Sequence, residues 1–400
     1  MLINFENYSL DADRRELRRG GQLVAIEPQV FDLLVYLVEN RDRVVTKDDV
    51  FAAVWNNRIV SESTLTSRIN AVRKAVDDSG ENQRLIRTIA RKGFRFVGEV
   101  SDAASAQGAS QVPKAMESEP PPLRQEVRFC TAPDGVRLAF AEVGQGPPLV
   151  RTGRWLTHLE YDWESPVWRP FLHELAAGRR VIRYDARGNG LSDWDAADIS
   201  FEAFVRDLET VIEASGVKRF ALLGMSQGVA VSIAYAVRHP ERVSHLLLYG
   251  GFSRGRRRRG SPQHVATSDA MATLIREGWG QENPAFRQLF TSLFIPDATP
   301  EQVQWFNNLQ RVTTSPDNAA RLRETMDNIE VSELLAQVKT PTLVLHSRDD
   351  AAQPLEEGRR IAAAIPGARL AVLEGRNHIF LKGDPAWRRF FEEIDEFLRH

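Results

Sequence analysis

The sequence has little cysteine, no long apolar run and almost no net charge. Cys130 is the single cysteine among 400 residues, which excludes an internal disulfide framework and a cysteine-rich metal site, and fits a reducing compartment. No apolar run approaches the roughly 20 residues that span a bilayer, and the first residues lack the charged-then-apolar layout of a secretion signal. The net charge of −2 means that any nucleic-acid contact must come from a local patch. These absences predict a cytoplasmic protein that does not enter membranes.

Length and composition predict more than one domain. A chain of 400 residues exceeds one ordinary core, and 42% hydrophobic with 26% charged residues is typical of a globular protein. The stretch 101–126 is small, polar and proline-bearing, so it buries too little surface to offset its ordering entropy. We therefore expect a first domain over 1–100, a linker over 101–126 and a second domain over 127–400. The charge block RGRRRRG lies in the second domain, where a solvated surface or an acidic partner is a better expectation than DNA.

The first hundred residues combine short strands with three helical segments. The stretches LINF, YSL, ELRR and QLVAI predict small strands, with Gly20 and Gly21 in a hairpin turn. Helices are predicted over 28–40, from an N-cap at Thr46 to about residue 55, and after an N-cap at Ser61 or Ser63. LIRTIARKGFRFVGEV predicts two further strands. Two helices, a polar-faced third helix and a basic hairpin predict an α+β winged helix-turn-helix.

This region resembles the DNA-binding domain of the OmpR/PhoB-type transcriptional regulators. The resemblance rests on EPQVFDLLVYLVENRDRVVTKDDVFAAVW, RINAVRKAV and RLIRTIARKGFRF. It implies that the third helix enters the major groove of double-stranded DNA and that the hairpin tip reaches the minor groove. The positions expected to contact DNA are Ser63, Ser67, Arg68, Asn70, Arg73, Lys74, Arg91 and Lys92. Such winged helices often bind as pairs at repeated half-sites, which would require a homodimer.

The second domain carries a serine in a characteristic turn. Strands and helices alternate beyond the linker, which predicts a mostly parallel sheet with helices on both faces. Within this pattern GMSQG, at 224–228, follows an apolar strand and opens a helix, the setting of a nucleophile elbow. A serine hydroxyl is a poor nucleophile unless a base and an orienting acid assist it. In this fold the expected chain order is serine, acid, histidine.

The domain resembles the α/β-hydrolase family. The matching pieces are RYDARGNGLSD, LLGMSQG, LVLHSRDDAAQP and GRNHIFL. The resemblance implies that Ser226 is the nucleophile, Asp350 the acid and His378 the base, with Asp349 as the nearest competitor for the acid. It also implies an oxyanion hole built from the backbone N–H groups of Gln227 and Arg154. The family usually has His-Gly in the loop before that second donor, whereas this chain has Thr-Gly.

A helical cap over the nucleophile is expected at about 252–338, where the strand pattern is interrupted. The resemblance and the aromatic content of these segments suggest a mostly apolar pocket. Its expected lining residues are Trp155, His158, Trp163, Trp279 and Trp305. No metal or organic cofactor is expected, because no ligand cluster or dinucleotide-binding glycine pattern occurs in a suitable setting.

Three functions fit these patterns. The first is a cytoplasmic transcriptional regulator whose hydrolase-like domain either binds or hydrolyses a small ester or lactone. The second is primarily an esterase or lactonase that the winged helix localises or autoregulates. The third is a ligand sensor with a silent triad. The sequence alone does not separate them.

Overall fold

A computed structural model describes residues 2–12, 14–24, 26–47, 49–50, 62–78, 82–89, 92–98, 100–102 and 123–399. Contacts divide the chain into two compact units, residues 1–118 and 119–400. Within the described residues no helix is long and apolar enough to cross a membrane.

The first unit opens with an antiparallel sheet. Its strands are β1 Leu2–Phe5, β2 Tyr8–Asp11, β3 Glu16–Arg19 and β4 Gln22–Val24. The predicted hairpin is confirmed, because Gly20 and Gly21 have φ values of +52° and +87° in the turn between β3 and β4. Apolar side chains alternate along these strands, and Ile3, Phe5 and Leu10 face the core.

Helices α1 (Pro28–Glu39) and α2 (Glu62–Ala75) pack against each other in the same core. Leu65, Ile69 and Val72 form a buried apolar stripe along α2. The Thr46 hydroxyl accepts from the Asp49 N–H at 3.1 Å, as an N-cap does, but residues 51–61 lie outside the described part. That gap includes the rest of the predicted second helix and Ser61. Ser63 is not the N-cap, because it lies inside α2.

Two strands form the predicted hairpin at the end of the first unit. Strand β5 (Ile86–Ile89) pairs antiparallel with β6 (Gly93–Phe96). Residues 103–122 of the predicted linker lie outside the described part. Both ends of the predicted linker are strand residues, because β7 (Ser101–Asp102) pairs with β1 and the next strand begins at Glu126. The ends of the linker therefore depend on which residues pair with a neighbouring strand, which composition does not show.

The second unit is built on an eight-stranded sheet in the order β15-β14-β13-β12-β10-β11-β9-β8. Its strands are β8 Glu126–Thr131, β9 Arg137–Val143, β10 Pro148–Arg151, β11 Arg180–Tyr184, β12 Phe220–Met225, β13 Val243–Tyr249, β14 Thr342–Ser347 and β15 Arg369–Leu373. The hairpin β8–β9 pairs antiparallel onto β11, and the other neighbours are parallel. Parallel strands joined by helices confirm the predicted mostly parallel α/β sheet.

The helices around this sheet divide into connecting helices and a cap. The connecting helices are α3 Leu159–Trp163, α4 Trp168–Leu175, α5 Phe201–Ser215, α6 Gly228–Arg238, α11 Leu355–Ala364 and α12 Trp387–Phe397. The cap helices are α7 Pro262–Gly278, α8 Ala285–Phe294, α9 Pro300–Thr313 and α10 Pro316–Asn328. All four lie between β13 and β14, where the sequence predicts a cap. A 3₁₀ turn at Arg256–Arg259 precedes them.

Candidate active site and DNA-binding surface

The turn that carries Ser226 joins the end of β12 to the start of α6. Ser226 has a φ of +53°, a strained left-handed conformation for a residue with a side chain. Its N–H donates to the Tyr249 carbonyl at 2.9 Å, which ties the turn to the neighbouring strand. Helix α6 begins at Gly228, with Gln227 at the N-cap position, so the helix N-terminus lies beside the serine.

Gly228 allows the loop after β10 to approach this turn closely. A Cβ atom at Gly228 would lie 2.1 Å from Thr152 Oγ1 and 3.0 Å from the Gly153 carbonyl oxygen. Any side chain here would therefore displace the Thr152–Gly153 segment. Gly224 is restricted in the same way, because a Cβ there would lie 2.6 Å from Ser232 Oγ. Close packing explains both glycines of the GMSQG motif.

Asp350 and His378 form a buried hydrogen-bonded pair. His378 Nδ1 lies 2.7 Å from Asp350 Oδ2, so the N–H at that position donates to the carboxylate. The other oxygen, Asp350 Oδ1, accepts from the N–H groups of Ala352 and Gln353 at 2.8 and 2.9 Å. Asp350 is 7% exposed and His378 is 3% exposed. The carboxylate is fully engaged, and it fixes the imidazole tautomer whose Nε2 lacks a proton.

The neighbouring acid and the neighbouring histidine are placed differently. Asp349, the competing acid, is exposed. His346 is buried at the end of β14, with Nε2 2.9 Å from the Gln353 carbonyl oxygen. Burial is the largest effect on the pKa of His346 and lowers it. The geometry favours Asp350 as the partner of His378.

Ser226 and His378 line one small cavity below the cap. Its volume is about 20 Å³, enough for a water molecule. The backbone N–H groups of His378 and Ile379 donate to the Phe294 carbonyl at 2.9 and 3.1 Å. The Phe294 ring packs edge-on against the imidazole at 5.3 Å between centroids. A cap residue thus holds the histidine in place over the cavity.

Arg154, expected to supply an oxyanion donor, is buried in the loop after β10. Its Nη1 donates to the Leu156 carbonyl at 2.7 Å, and its Nη2 lies 3.3 Å from Asp162 Oδ2. The guanidinium lies 3.7 Å from the Trp168 ring centroid. Burial lowers the pKa of Arg154 to about 10. The side chain therefore shapes the loop, and Leu156 two residues later has a φ of +66°.

Of the five residues expected to line the pocket, Trp155 alone reaches a described cavity beside Ser226. Trp279 lies behind it, 5.5 Å between ring centroids, and its Nε1 donates to the Thr314 carbonyl at 3.3 Å. The other three, like Trp279, are not among the residues that line either of these cavities. His158 caps α3 by accepting from the Tyr161 N–H, Trp163 packs on His173, and Trp305 stacks on Tyr161. Each of these side chains is committed to packing outside the cavity.

Several lining residues lie outside those five. The aromatic ones are Trp168, Tyr249, Phe290, Phe294 and Phe306, and the charged ones besides Arg154 are Arg256 and Arg323. The aromatic residues carry a weak signal, because many aromatic side chains occur in the same segments. The arginines carry none, because 67 positions separate them and the first sits in a charge block that reads as solvated.

The described DNA-facing candidates do not share one environment. Asn70, Lys74 and Lys92 are exposed. Arg68 pairs with Glu27. Ser63 and Ser67 lie on α2, but their side chains are outside the described part, and so is all of Arg91.

Arg73 corrects the expectation of a base contact. It is 5% exposed, and its Nη2 donates to the Ile86 carbonyl at 2.8 Å and to Thr88 Oγ1 at 2.9 Å. Because arginine is charged, the sequence predicts that this position of α2 faces solvent. The side chain instead turns inward and donates hydrogen bonds to acceptors on β5. Arg73 therefore joins the helix to the hairpin.

Within the described residues no group of three or more His, Cys, Asp or Glu side chains could hold a metal ion.

Comparisons with known proteins match both units. A family model described as "alpha/beta hydrolase fold" matches residues 162–385, more than half of the chain. A model described as "Transcriptional regulatory protein, C terminal" matches residues 21–96.

Individual relatives match the second unit. The chain is 28% identical over 221 residues to a putative carbamate hydrolase RutD from Azorhizobium caulinodans, covering 53% of this chain and 79% of the relative. A bromoperoxidase from Bacillus anthracis superposes with a TM-score of 0.59 at 22% identity, covering 69% of this chain and all of that structure. A thermophilic esterase from Thermogutta terrifontis superposes with a TM-score of 0.56 at 25% identity, over 68% of this chain and 98% of its own.

Proposed function

We propose that this chain, which belongs to the α/β hydrolase fold family, is a DNA-binding regulator whose second unit hydrolyses a small ester or lactone. One observation carries the catalytic part. His378 is hydrogen-bonded to Asp350 at 2.7 Å and shares a cavity with Ser226, which is held at the end of a strand in a strained turn. This arrangement supports Ser226 as the nucleophile, His378 as the base and Asp350 as the orienting acid. The similarity to an esterase supports the ester class.

The chemistry would proceed in two steps. His378 Nε2 takes the Ser226 proton as Oγ attacks the carbonyl carbon, and Asp350 stabilises the imidazolium that forms. The imidazolium then protonates the departing alcohol oxygen, which leaves an acyl group on Ser226. Water, deprotonated by His378, attacks that acyl group and releases the acid. The N–H groups of Gln227 and Arg154 are the proposed donors to the oxyanion in both steps.

The DNA-binding part rests on the match to transcriptional regulators and on the exposed polar groups of α2 and the hairpin. Asn70 is placed to contact base edges, and Lys74 and Lys92 to contact phosphates. Such a role places the protein in the compartment that holds DNA. We expect Lys92→Ala to weaken binding to all DNA sequences alike and to reduce the salt dependence by about one phosphate contact.

The closed cavity favours the sensor as a second candidate function. A volume of about 20 Å³ admits water but no ester, so any ligand must separate the cap from the sheet. An opening of this kind could report a ligand without cleaving it. The hydrogen bond between Asp350 and His378 beside Ser226, which a sensor does not need, favours the hydrolase.

The first experiment labels the full chain with a fluorophosphonate and locates the adduct by mass spectrometry. We expect an adduct on Ser226 that is absent in Ser226→Ala. Absence of labelling in a protein that still binds DNA would contradict hydrolysis and support the sensor. Fluorescence anisotropy with labelled DNA, at several salt concentrations, tests the first unit separately.

A further inference from the structure

The 3₁₀ turn at Arg256–Arg259 presents four consecutive arginines, and they differ in their partners. Arg257 pairs with Asp269, and Arg259 donates to Gln353 Oε1 and approaches Glu357. Arg258 is exposed, and its Nε donates to the Asn328 carbonyl at 3.3 Å. Arg256 is half-buried, and among residues 123–399 it has neither an ion-pair partner nor a side-chain hydrogen bond.

Arg256 lines a cavity that also contains Ser226, and Arg323 of α10 lines it too. Arg323 is 6% exposed, and its Cζ lies 6.0 Å from the Trp155 ring centroid. Its Nε donates to Asp327 Oδ2 at 3.0 Å, and the same oxygen accepts from the Ser268 hydroxyl. Two guanidinium groups therefore face the space next to the nucleophile.

The charges around this space do not balance. Asp327 is the carboxylate beside the two guanidinium groups, and no Asp or Glu is among the described lining residues of either cavity at Ser226. Burial, followed by the charge of Arg323, lowers the pKa of Arg256 to about 10, so the group remains charged at neutral pH. Buried charges in proteins are normally paired, because an unpaired one loses its hydration without compensation. Of the two guanidinium groups that line the cavity, Arg323 is paired with Asp327, whereas Arg256 has no ion-pair partner among residues 123–399.

The rest of the cavity wall is apolar. It is formed by Trp155, Met271, Phe290, Leu293, Phe294 and Met326. A ligand that matches this surface has an apolar body and one anionic group. A guanidinium presents a planar fork of N–H donors, which fits the two oxygens of a carboxylate.

We propose that Arg256 and Arg323 bind a carboxylate of the substrate, remote from the bond that Ser226 cleaves. The substrate class is then a small ester or lactone with an apolar body and one free carboxylate. The cleavage step rests on the proposed function, but carboxylate binding does not require turnover. Arg256 and Arg323 act as binding residues, and the guanidinium of Arg256, which has no ion-pair partner among residues 123–399, provides the charge that a carboxylate would match.

Binding is tested by calorimetry on the full chain with 3-phenylpropanoate and its neutral analogue 3-phenylpropanamide. The wild type is expected to bind the carboxylate at least about tenfold more tightly than the amide, as charge-assisted hydrogen bonds predict. Arg256→Gln and Arg323→Gln are each expected to remove most of that preference. Glutamine at 323 keeps an N–H donor for Asp327, and Arg256→Lys is expected to retain part of the preference. The matched control is Arg258→Gln, from the same turn but exposed, which should leave the preference unchanged.

A carboxylate that binds no better than the amide, or equally well to both glutamine variants, overturns the proposal. Circular dichroism and thermal unfolding show whether each variant is folded.

Turnover tests the same idea independently with two esters of equal acyl chain length. The 4-nitrophenyl monoester of glutarate carries a carboxylate where 4-nitrophenyl pentanoate carries a methyl group. The ratio of their kcat/KM values should fall about tenfold in Arg256→Gln and stay constant in Arg258→Gln. An unchanged ratio, with both esters hydrolysed, overturns the carboxylate site but leaves the hydrolase proposal standing. If neither ester is cleaved and Ser226 is not labelled, hydrolysis fails, and the calorimetric result decides the carboxylate site alone.

Discussion

Replacing Gly228 by alanine should disable the oxyanion hole without touching any proposed triad residue. The new Cβ would lie 2.1 Å from Thr152 Oγ1, whereas ordinary contacts begin at 3.4 Å, so the two atoms would overlap by about 1.3 Å. The loop after β10 must then retreat by about 1 Å, and the proposed donor at Arg154 moves with it. A misplacement of 1 Å, or the loss of one oxyanion donor, costs roughly 10²- to 10³-fold in rate.

The assay is the rate at which a fluorophosphonate modifies Ser226, followed by mass spectrometry over time. This reagent places an oxygen in the same hole, and no knowledge of the substrate is needed. We expect Gly228→Ala to react about 10²-fold more slowly than the wild type and to unfold a few degrees lower, because overpacking costs about 1–3 kcal/mol.

A second substitution separates this steric cause from general damage. Thr152→Ala removes the clashing hydroxyl, which leaves the Gly153 oxygen at 3.0 Å as the nearest contact, so the double variant should recover most of the rate. Thr152→Val puts a methyl group in the same place and should not rescue. Equal rescue by alanine and valine, or an unchanged rate in Gly228→Ala, would refute the reasoning.

Three further expectations follow from the geometry. Asp350→Asn should slow modification of Ser226 by about 10⁴-fold, because the imidazole loses its fixed tautomer. Asp349→Asn, at an exposed position, should react like the wild type. Equal effects of the two substitutions would contradict the assignment of Asp350 as the acid. Arg73→Met should lower the stability of the first unit by about 1–3 kcal/mol, since acceptors on β5 lose their donors. Thermal unfolding of the full chain measures this loss. An unchanged unfolding transition of the first unit would show that Arg73 does not join the helix to the hairpin. Burial raises the pKa of the Cys130 thiol to about 11, so about one thiol in a thousand is ionised at pH 8 and native alkylation by iodoacetamide should be slow. Because the pKa of this thiol is higher in the folded chain than in the unfolded chain, its contribution to stability is complete below the unfolded pKa of 9.0 and is lost as the pH rises toward 11. Fast alkylation of the folded chain would contradict the raised pKa.

Local patterns predict the backbone of both units well. The alternation of apolar and polar residues predicts the strands of the first sheet, and the pair Gly20–Gly21 predicts the hairpin turn. The apolar strand before GMSQG predicts that Ser226 lies in the turn that leads into a helix. These features depend on interactions between residues a few positions apart, so the local sequence is enough to predict them. The pairing of Asp350 with His378 was also accessible, because chain order in this fold leaves few alternatives.

Side-chain direction was far less predictable. Trp163 and Trp305 satisfy the aromatic pattern of a pocket, yet Trp163 packs at a tilt on His173 and Trp305 stacks on Tyr161. Arg73 lies at a helix position that looks exposed, but its guanidinium turns inward and donates to the carbonyl of Ile86. In each case the decisive partner is distant in sequence or chosen among several equal candidates. Composition cannot rank such partners, since they become neighbours only in the folded chain.

The hold of Phe294 on His378 links ligand entry to the proposed chemistry. A ligand enters the cavity when the cap moves, yet the Phe294 carbonyl of the cap accepts the backbone N–H groups of His378 and Ile379. Opening at α8 would therefore loosen the base, and reclosing would restore it around the bound molecule. If Arg256 and Arg323 bind a carboxylate, that contact supplies a reason for the cap to reclose on acids and not on neutral analogues. Selectivity for acids over neutral analogues would then arise in the closing of the cap as much as in binding. An enzyme would open and close the cap with every turnover, whereas a sensor would remain closed around its ligand.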